Sequence, residues 1–443
     1  MFLRKNYGVL FFLFFWGALF SQERQLQRAN TAFEKHAFAD AKKLYLKALK
    51  KGGQSKELYE KLGDSYYLTG DLETAAQWYW VLLSMYSHKV HPVYRDRYVM
   101  SLKASTSTDK IDGLSSMLYT NTTTNKEGID PAHENFVIKN LKINSKYSDY
   151  APAFHEGGLV FASSRNKNSF SEVLHGWNND PFLDLYTAKK KHDTHKVQKL
   201  KGNINTKFHE SSATFSVDKK TIYFTRNNYS KRKPKRSKDQ LVLLKIYKAD
   251  YIDGKWRNIK ELPFNSDEYS IAHPALSPDG KYLYFASDMK GSYGQSDLYV
   301  VTIDEHGNFG TPRNLGDQIN TPGRETFPFV SDTGKLFFAS NGHEGKGGLD
   351  IFMAMFNTDG TVEVHNLGAP INSSKDDFTF IINEESKMGY FASNRNGGKG
   401  NDDIYIFRQI NSFKEFPRGK KKTKKKLERV IDLKPNKDGT TSL

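Results

Sequence analysis

One short phrase is written five times in this chain. "FASSRN" begins at Phe161, "FTRNNY" at Phe224, "FASDMKGS" at Phe285, "FASNGHEG" at Phe338 and "FASNRNGG" at Phe391, at intervals of 63, 61, 53 and 53 residues. Each is an apolar stretch that breaks at a polar turn, and each sits inside a larger unit. Upstream, an Asn followed by Ser or Thr (Asn144, Asn205, Asn265, Asn320, Asn372) leads into "YAPAF", "SSATF", "AHPAL", "ETFPF" or "DFTFI". Downstream stands "DLYTA", "KIYKA", "DLYVV", "DIFMA" or "DIYIF"; four of these open on Asp184, Asp297, Asp350 and Asp403, and the second has Lys245 instead.

Repeated units of short strands separated by turn residues are the mark of a β-propeller, because one blade cannot bury both of its faces and needs neighbours around a ring. Five units predict five blades, or six if residues before Asn144 or after Phe407 form a divergent one. The five phenylalanines are expected to be buried on inner strands, and each third-strand Asp to bond the Gly-rich turn before it. "ENFVIKNLKIN" supplies an N-terminal strand that would complete the last blade and remove the exposed edges. The first two units are longer, with insertions at Asn166 to Pro181 and Tyr229 to Gln240. Such insertions share one rim, often the binding rim.

Before the propeller the apolar spacing is helical. Adding 34 to Ala29, Ala32, Ala41, Tyr45 and Ala48 lands on Gly63, Tyr66, Ala75, Tyr79 and Leu82. That period, with small residues where helices touch, is the tetratricopeptide (TPR) signature, against the plainer reading of a helical bundle. A third repeat around "YRDRYVMSLKASTSTDKIDGLSSML" keeps the helical pattern and loses the small residues, as a capping repeat does. Helical pairs of this kind present a concave surface that grips a peptide or a partner protein.

"MFLRKNYGVLFFLFFWGALFSQ" has the basic then apolar order of a secretory signal, and its apolar run is short for a membrane span. Export is expected, with an uncleaved anchor as the alternative. No cysteine occurs, which excludes disulfides and a lipoprotein anchor. The expected organisation is a signal peptide at 1–21, TPR-like helices at 22–118, a linker at 119–135, the propeller at 136–410 and a basic, disordered tail at 411–443.

The net charge of +16 is concentrated rather than spread. Residues 412–443 hold eleven Lys/Arg against four Asp/Glu, and "YSKRKPKRSKDQ" at 229–240 holds six against one. The remainder is nearly balanced, so no nucleic-acid face is expected. Solvated charge on flexible segments is the plain reading, and contact with an anionic surface the sharper one.

Motifs that carry chemistry are scarce. The His-Glu pairs at His155, His209 and His343 lack the second His of a zincin. "YGQSDLY" fails as a nucleophile elbow, and "NGHEGKGG" fails as a phosphate loop. "NRNGGKGNDD" carries oxygen atoms that suit Ca²⁺, but a turn held by its own Asn and Asp side chains is preferred. The reading therefore names no catalytic, cofactor-binding or metal-ligating residue and no cofactor, and expects no enzyme.

Several strings taken together, "YSDYAPAF", "SPDGKYLYFASD", "GRETFPFVSDTGKLFFAS" and "FASNRNGGKGNDDIYIF", preceded by the helical repeats and the signal, resemble Bacteroidetes OmpA-family envelope proteins and PorE-like components of type IX secretion. The resemblance implies a WD40-like (PD40, TolB-like) propeller and a place in the periplasm at the outer membrane. The family's regulatory-like and peptidoglycan-binding domains are not found in these 443 residues, so wall tethering is not carried over. The function expected is an exported interaction scaffold that binds envelope proteins through helices and propeller, with weak contact to an anionic membrane or wall through the Lys-rich tail. The alternative is binding of a small ligand or glycan in the propeller channel.

Overall fold

The structure is a computed structural model, and it describes residues 23–86, 89–105, 135–165, 174–191, 194–230, 233–357, 360–411 and 413. The signal segment, residues 106–118, nearly all of the linker and all but two residues of the basic tail lie outside the described residues.

Among the described residues five helices come first: α1 (23–34), α2 (Phe38–Lys50), α3 (Lys56–Leu68), α4 (Leu72–Tyr86) and α5 (Pro92–Ser105). The 34-residue period is visible in the bonding as well as the packing. Tyr45 donates its hydroxyl to Asn30 Oδ1 at 2.7 Å, and 34 residues on Tyr79 donates to Asp64 Oδ1 at 2.7 Å. Ala41, Tyr45 and Ala48 are fully buried, as are Ala75, Tyr79 and Leu82. Gly63 has to be glycine, since a Cβ there would lie 2.5 Å from the Tyr79 ring. Ser55 caps α3 by accepting from Leu58 N at 3.1 Å. The third repeat keeps its first helix, α5; the rest falls outside the described residues.

Twenty-two strands follow, and among the described residues they form five four-stranded antiparallel sheets and one two-stranded hairpin. Blade one is β2 (Asp149–His155), β3 (Gly158–Ser163), β4 (Asp184–Lys191) and β5 (Thr194–Lys199). Blade two is β6 (Glu210–Phe215), β7 (Thr221–Asn227), β10 (Leu244–Ile252) and β11 (Lys255–Glu261), with the hairpin β8 (Tyr229–Ser230) and β9 (Lys233–Pro234) in its insertion. Blade three is β12 (Ile271–Leu276), β13 (Tyr282–Ser287), β14 (Asp297–Thr302) and β15 (Arg313–Asn314). Blade four is β16 (Glu325–Val330), β17 (Leu336–Ser340), β18 (Asp350–Phe356) and β19 (Val362–Asn366). Blade five is β20 (Asp377–Asn383), β21 (Met388–Ser393) and β22 (Asp403–Gln409), and its outer strand is β1 (Phe136–Asn140) from the other end of the chain. β1 pairs with β22 from Phe136↔Gln409 to Asn140↔Tyr405, so the ring closes as the sequence predicts and the count is five.

The repeated phrase forms the second strand of each blade. Pressed between neighbouring blades, it is apolar at consecutive positions, and Phe161, Phe224, Phe285, Phe338 and Phe391 are all at most 1% exposed. The five Asn residues latch blade to blade. Each uses its side-chain amide as a strand residue would, accepting from and donating to one backbone position in the third strand of the preceding blade. Asn144 does so with Ile404 (3.0 and 2.8 Å), Asn205 with Leu185, Asn265 with Ile246, Asn320 with Leu298 (2.7 and 3.1 Å) and Asn372 with Ile351. Buried ion pairs reinforce three of the blades: Arg165 to Asp149 (2.5 Å), Arg226 to Glu210 (2.9 Å) and Arg395 to Asp377 (2.6 Å).

The third-strand acids behave as expected in blades three to five. Asp297 accepts from Tyr293 N and Gly294 N, Asp350 from Gly347 N, and Asp403 from Lys399 N and Gly400 N. The "NRNGGKGNDD" segment is thus held by its own acid. In blade one Asp184 pairs with Lys199 instead (2.5 Å). In blade two the sign is reversed: Lys245 takes the acid's place and is held by Glu261 and Asp267, both at 2.6 Å.

Candidate functional site

Strand direction gives the ring two unlike faces. The upper face carries the loops that enter each first strand and those between second and third strands; the lower face carries the tight turns between first and second strands. The described parts of both insertions lie on the upper face, and the helical module sits there too. Ala39 N donates to the carbonyls of Gly176 and Trp177 (3.3 and 3.2 Å), Trp177 Nε1 donates to Leu68 O (3.2 Å), and the Trp177 ring meets Phe38 edge-on at 4.8 Å. Farther round, the α3–α4 turn faces blade five: a Cβ on Gly70 would meet Asn394 Nδ2 at 3.5 Å. The insertion rim is therefore occupied by the chain's own helices. Between the two modules Arg324 lies in the fields of Asp376, Tyr67 and Asp288, and burial pushes its guanidinium down from its ordinary value. Burial and then Arg324 likewise hold His36 below the usual imidazole range.

The five first strands, β2, β6, β12, β16 and β20, line a central channel. Every one carries a bulge at the same level, where the register slips against the second strand. Each bulge places a non-glycine residue in the left-handed region: Ala151, Ser212, His273, Phe327 and Thr379, with φ between 38° and 59°. These residues form one ring. On its upper side Tyr150 and Phe378 close on the ring's own Phe327, with ring centroids 5.2 to 6.2 Å apart, and stopper the channel. Below it runs a neck of about 170 Å³ walled by Pro152, Pro274, Pro328, Phe329 and Phe380. The neck opens downward into a funnel of about 910 Å³ whose lining includes His155, Glu156, Lys219, Asp332 and Tyr390.

Polar groups in the neck are few. Ser212 Oγ lies 2.7 Å from His273 Nδ1 and 3.1 Å from Ser211 Oγ, and the His273 ring packs on Phe327 at 3.8 Å. Burial, with a smaller push from Arg324, takes the His273 imidazole down to about 3, so the ring is neutral and weakly basic. Thr379 is 6% exposed, and its Oγ1 is buried with no hydrogen-bond partner.

A fourth His-Glu pair, His133-Glu134, lies outside the described residues, and the three named above do not converge. His155 lines the funnel, His209 lies against His175 on the upper side (4.5 Å between rings), and His343 faces the Ile319 carbonyl through Nε2 at 2.8 Å. Among the described residues no group of His and acidic side chains is placed to hold a metal, and no helix is long and apolar enough to cross a membrane. The channel ring was missed by the sequence reading, although its signal was present. Each ring residue stands seven or eight positions after its unit's Asn, so aligning the units on Asn collects all five.

No family model and no curated protein matches the chain. Solved structures do. A putative TolB from Agrobacterium tumefaciens is 17% identical over 56% of this chain and 70% of its own, with a TM-score of 0.35. An α-L-arabinofuranosidase from Lactobacillus brevis is 12% identical over 59% of this chain and 90% of its own (TM-score 0.39), and a puromycin hydrolase is 11% identical over 56% (TM-score 0.32), this chain spanning about 50% of the hydrolase. At such identity these are likenesses of fold alone. They correct one expectation: hydrolases are among the proteins that share this fold, so the expectation that the chain is not an enzyme is withdrawn.

Proposed function

We propose that this chain is an exported scaffold of the cell envelope that holds a partner protein on its helical module, with the propeller as the rigid body that fixes the module's orientation. The observation that carries this reading is the set of large apolar side chains the docked helices leave exposed: α4 leaves Trp80 56% and Met85 50% exposed, and α5 leaves Met100 36% exposed. A solvent-facing Trp with unbranched, adaptable Met residues is the composition of a binding hot spot, since Trp dominates measured interface energies. The basic and apolar order of residues 1–21 supports export. The resemblance of the propeller strings to OmpA-family and PorE-like proteins supports a place at the periplasmic side of the outer membrane, in a secretion or gliding assembly.

Because the helices are docked, the test uses the whole chain. Cross-linking in an envelope fraction is expected to capture a defined protein, and Trp80→Ala to reduce its recovery at least about tenfold. Equal capture by parent and variant would end the reading. A second contact is proposed for Lys420 to Lys426, six lysines in seven positions, which would hold the protein loosely on an anionic surface at about 1 kcal/mol per Lys. Co-sedimentation with anionic vesicles should fall steeply with salt and vanish in a chain ending at Phe416.

A further inference from the structure

We propose that the neck of the propeller channel is a binding site for a small, uncharged, ring-sized molecule with a single hydrogen-bonding head, of the aromatic alcohol or phenol class. The site does not depend on the helical face and stands apart from the partner-binding reading.

Size sets the first limit. A cavity of roughly 150 Å³ accommodates a benzene ring, and the neck measures about 170 Å³. The aromatic stopper closes its upper end, so a molecule enters from the funnel and stops against the ring of bulges. The walls are prolines and phenylalanines, which suit an apolar body.

Chemistry at the blind end sets the second limit. Thr379 Oγ1 is a buried hydroxyl without a partner, and such a group costs free energy unless something meets it. Ser212 and His273 stand on the same ring, already bonded to each other and each able to share a further bond. All three are held in the left-handed region, where non-glycine residues are strained. The Ser212–His273 pair on blades two and three and the unpartnered Thr379 hydroxyl on blade five give the ring both donors and acceptors for a head that can donate or accept.

The same inventory excludes the rivals. Among the described residues no acid lines the neck; Glu156 and Asp332 line only the funnel. An ammonium head would be buried without a counter-charge. Among the described residues the one cation on the neck, Lys219, belongs to the lower turn between β6 and β7, so a carboxylate at the blind end would face hydroxyls and a neutral ring. A hexose would bring more hydroxyls than the three polar side chains of the ring can satisfy.

Calorimetric titration of the full chain with benzyl alcohol, benzylamine, benzoate and glucose tests the assignment. Benzyl alcohol is expected to bind saturably at one site, with the other three at least about tenfold weaker. Thr379→Val keeps the side-chain shape and removes the hydroxyl, and should weaken benzyl alcohol about five- to tenfold; Ser212→Ala should do the same. Ala213→Phe should fill the neck and abolish binding, and if that variant does not fold, the two conservative ones decide. The proposal is overturned if the parent shows no saturable binding of benzyl alcohol, if benzylamine or glucose binds as tightly, or if Thr379→Val and Ser212→Ala both bind like the parent.

Discussion

The two faces of the propeller handle their carboxylates in opposite ways. On the upper face, beneath the helices and long loops, burial pushes up the carboxyls of Asp184, Glu210, Asp288, Glu325, Asp350, Asp376, Asp377 and Asp402, with Glu210, Asp350 and Asp402 reaching about 7. On the lower face, hydrogen bonds hold Glu156, Asp218, Asp279 and Asp304 below the usual carboxylate range, and Glu384, although partly buried, is lowered by Ser331, Lys335 and Thr333. Asp267 breaks the pattern: it is an upper-face acid that Lys245 and Asn228 hold down. The exception is instructive, because blade two is the unit in which a lysine replaces the third-strand acid. Upper-face acids tie loops together inside the protein, whereas lower-face acids organise turns that water still reaches.

The largest test of this difference is Asp350. Its carboxyl is raised above the unfolded value, so the associated stability is present in full below about pH 4 and is lost as pH rises through about 7. Asn cannot titrate. Asp350→Asn should therefore gain on the parent between pH 4 and pH 8 by up to about 4 kcal/mol, because each tenfold difference in proton affinity between folded and unfolded chain is worth roughly 1.4 kcal/mol. Denaturant midpoints at the two pH values measure it, and a constant difference would break the comparison.

Next in size is the contact that makes the upper face what it is. Trp177 is half-buried between the insertion and the helices, and Trp177→Ala should cost about 2–3 kcal/mol, less than a fully buried Trp. The loss should appear as early proteolysis within residues 23–105 while the propeller stays resistant. Simultaneous cleavage of both parts would show that the helices are not a separately docked module.

A similar cost, about 2 kcal/mol, is expected for Asn320→Ala. That change removes both of Asn320's bonds to Leu298 and leaves the buried Leu298 N–H unmet, while the Leu298 carbonyl keeps its bond from Leu315 N. It acts between blades three and four without regard to face, so equal thermal shifts at pH 5 and pH 8 are expected, in contrast to Asp350→Asn.

How much of this was legible beforehand depends on whether a feature repeats. The phenylalanines, the Asn latches and the closing strand recur or complement one another along the chain, and a recurring strand with a recurring turn allows few folds. Five blades, the buried FAS strands and the 34-residue helical period could be read for that reason. The channel ring could not be read from any one unit, because a bulge is a property of pairing between strands and its occupants, Ala, Ser, His, Phe and Thr, share no chemistry. The covered upper rim was misjudged for a related reason: insertion length places a loop on a rim, but only Trp177 against Phe38 and Leu68 reveals that the rim's partner is the same chain.

The smallest effect belongs to the lower face. Asp279 accepts from Ser277 Oγ at 2.6 Å and Lys281 N at 3.1 Å in the turn between β12 and β13. Asp218 is built the same way one blade earlier, with Ser216 at 2.5 Å and Lys220 N at 3.0 Å. Here the folded carboxyl is lowered, chiefly by Ser277, so its contribution is present above the unfolded value and lost as pH falls through the folded one. Water screens the turn, and Asp279→Asn should cost about 0.5 kcal/mol at pH 7 and nothing near pH 2. The sign is therefore the reverse of Asp350→Asn: this variant loses against the parent as pH rises. Thermal melts of the two variants across the same pH series should diverge. If both drift in one direction, the two faces do not hold their acids differently, and the division between a sealed upper face and an open lower one fails.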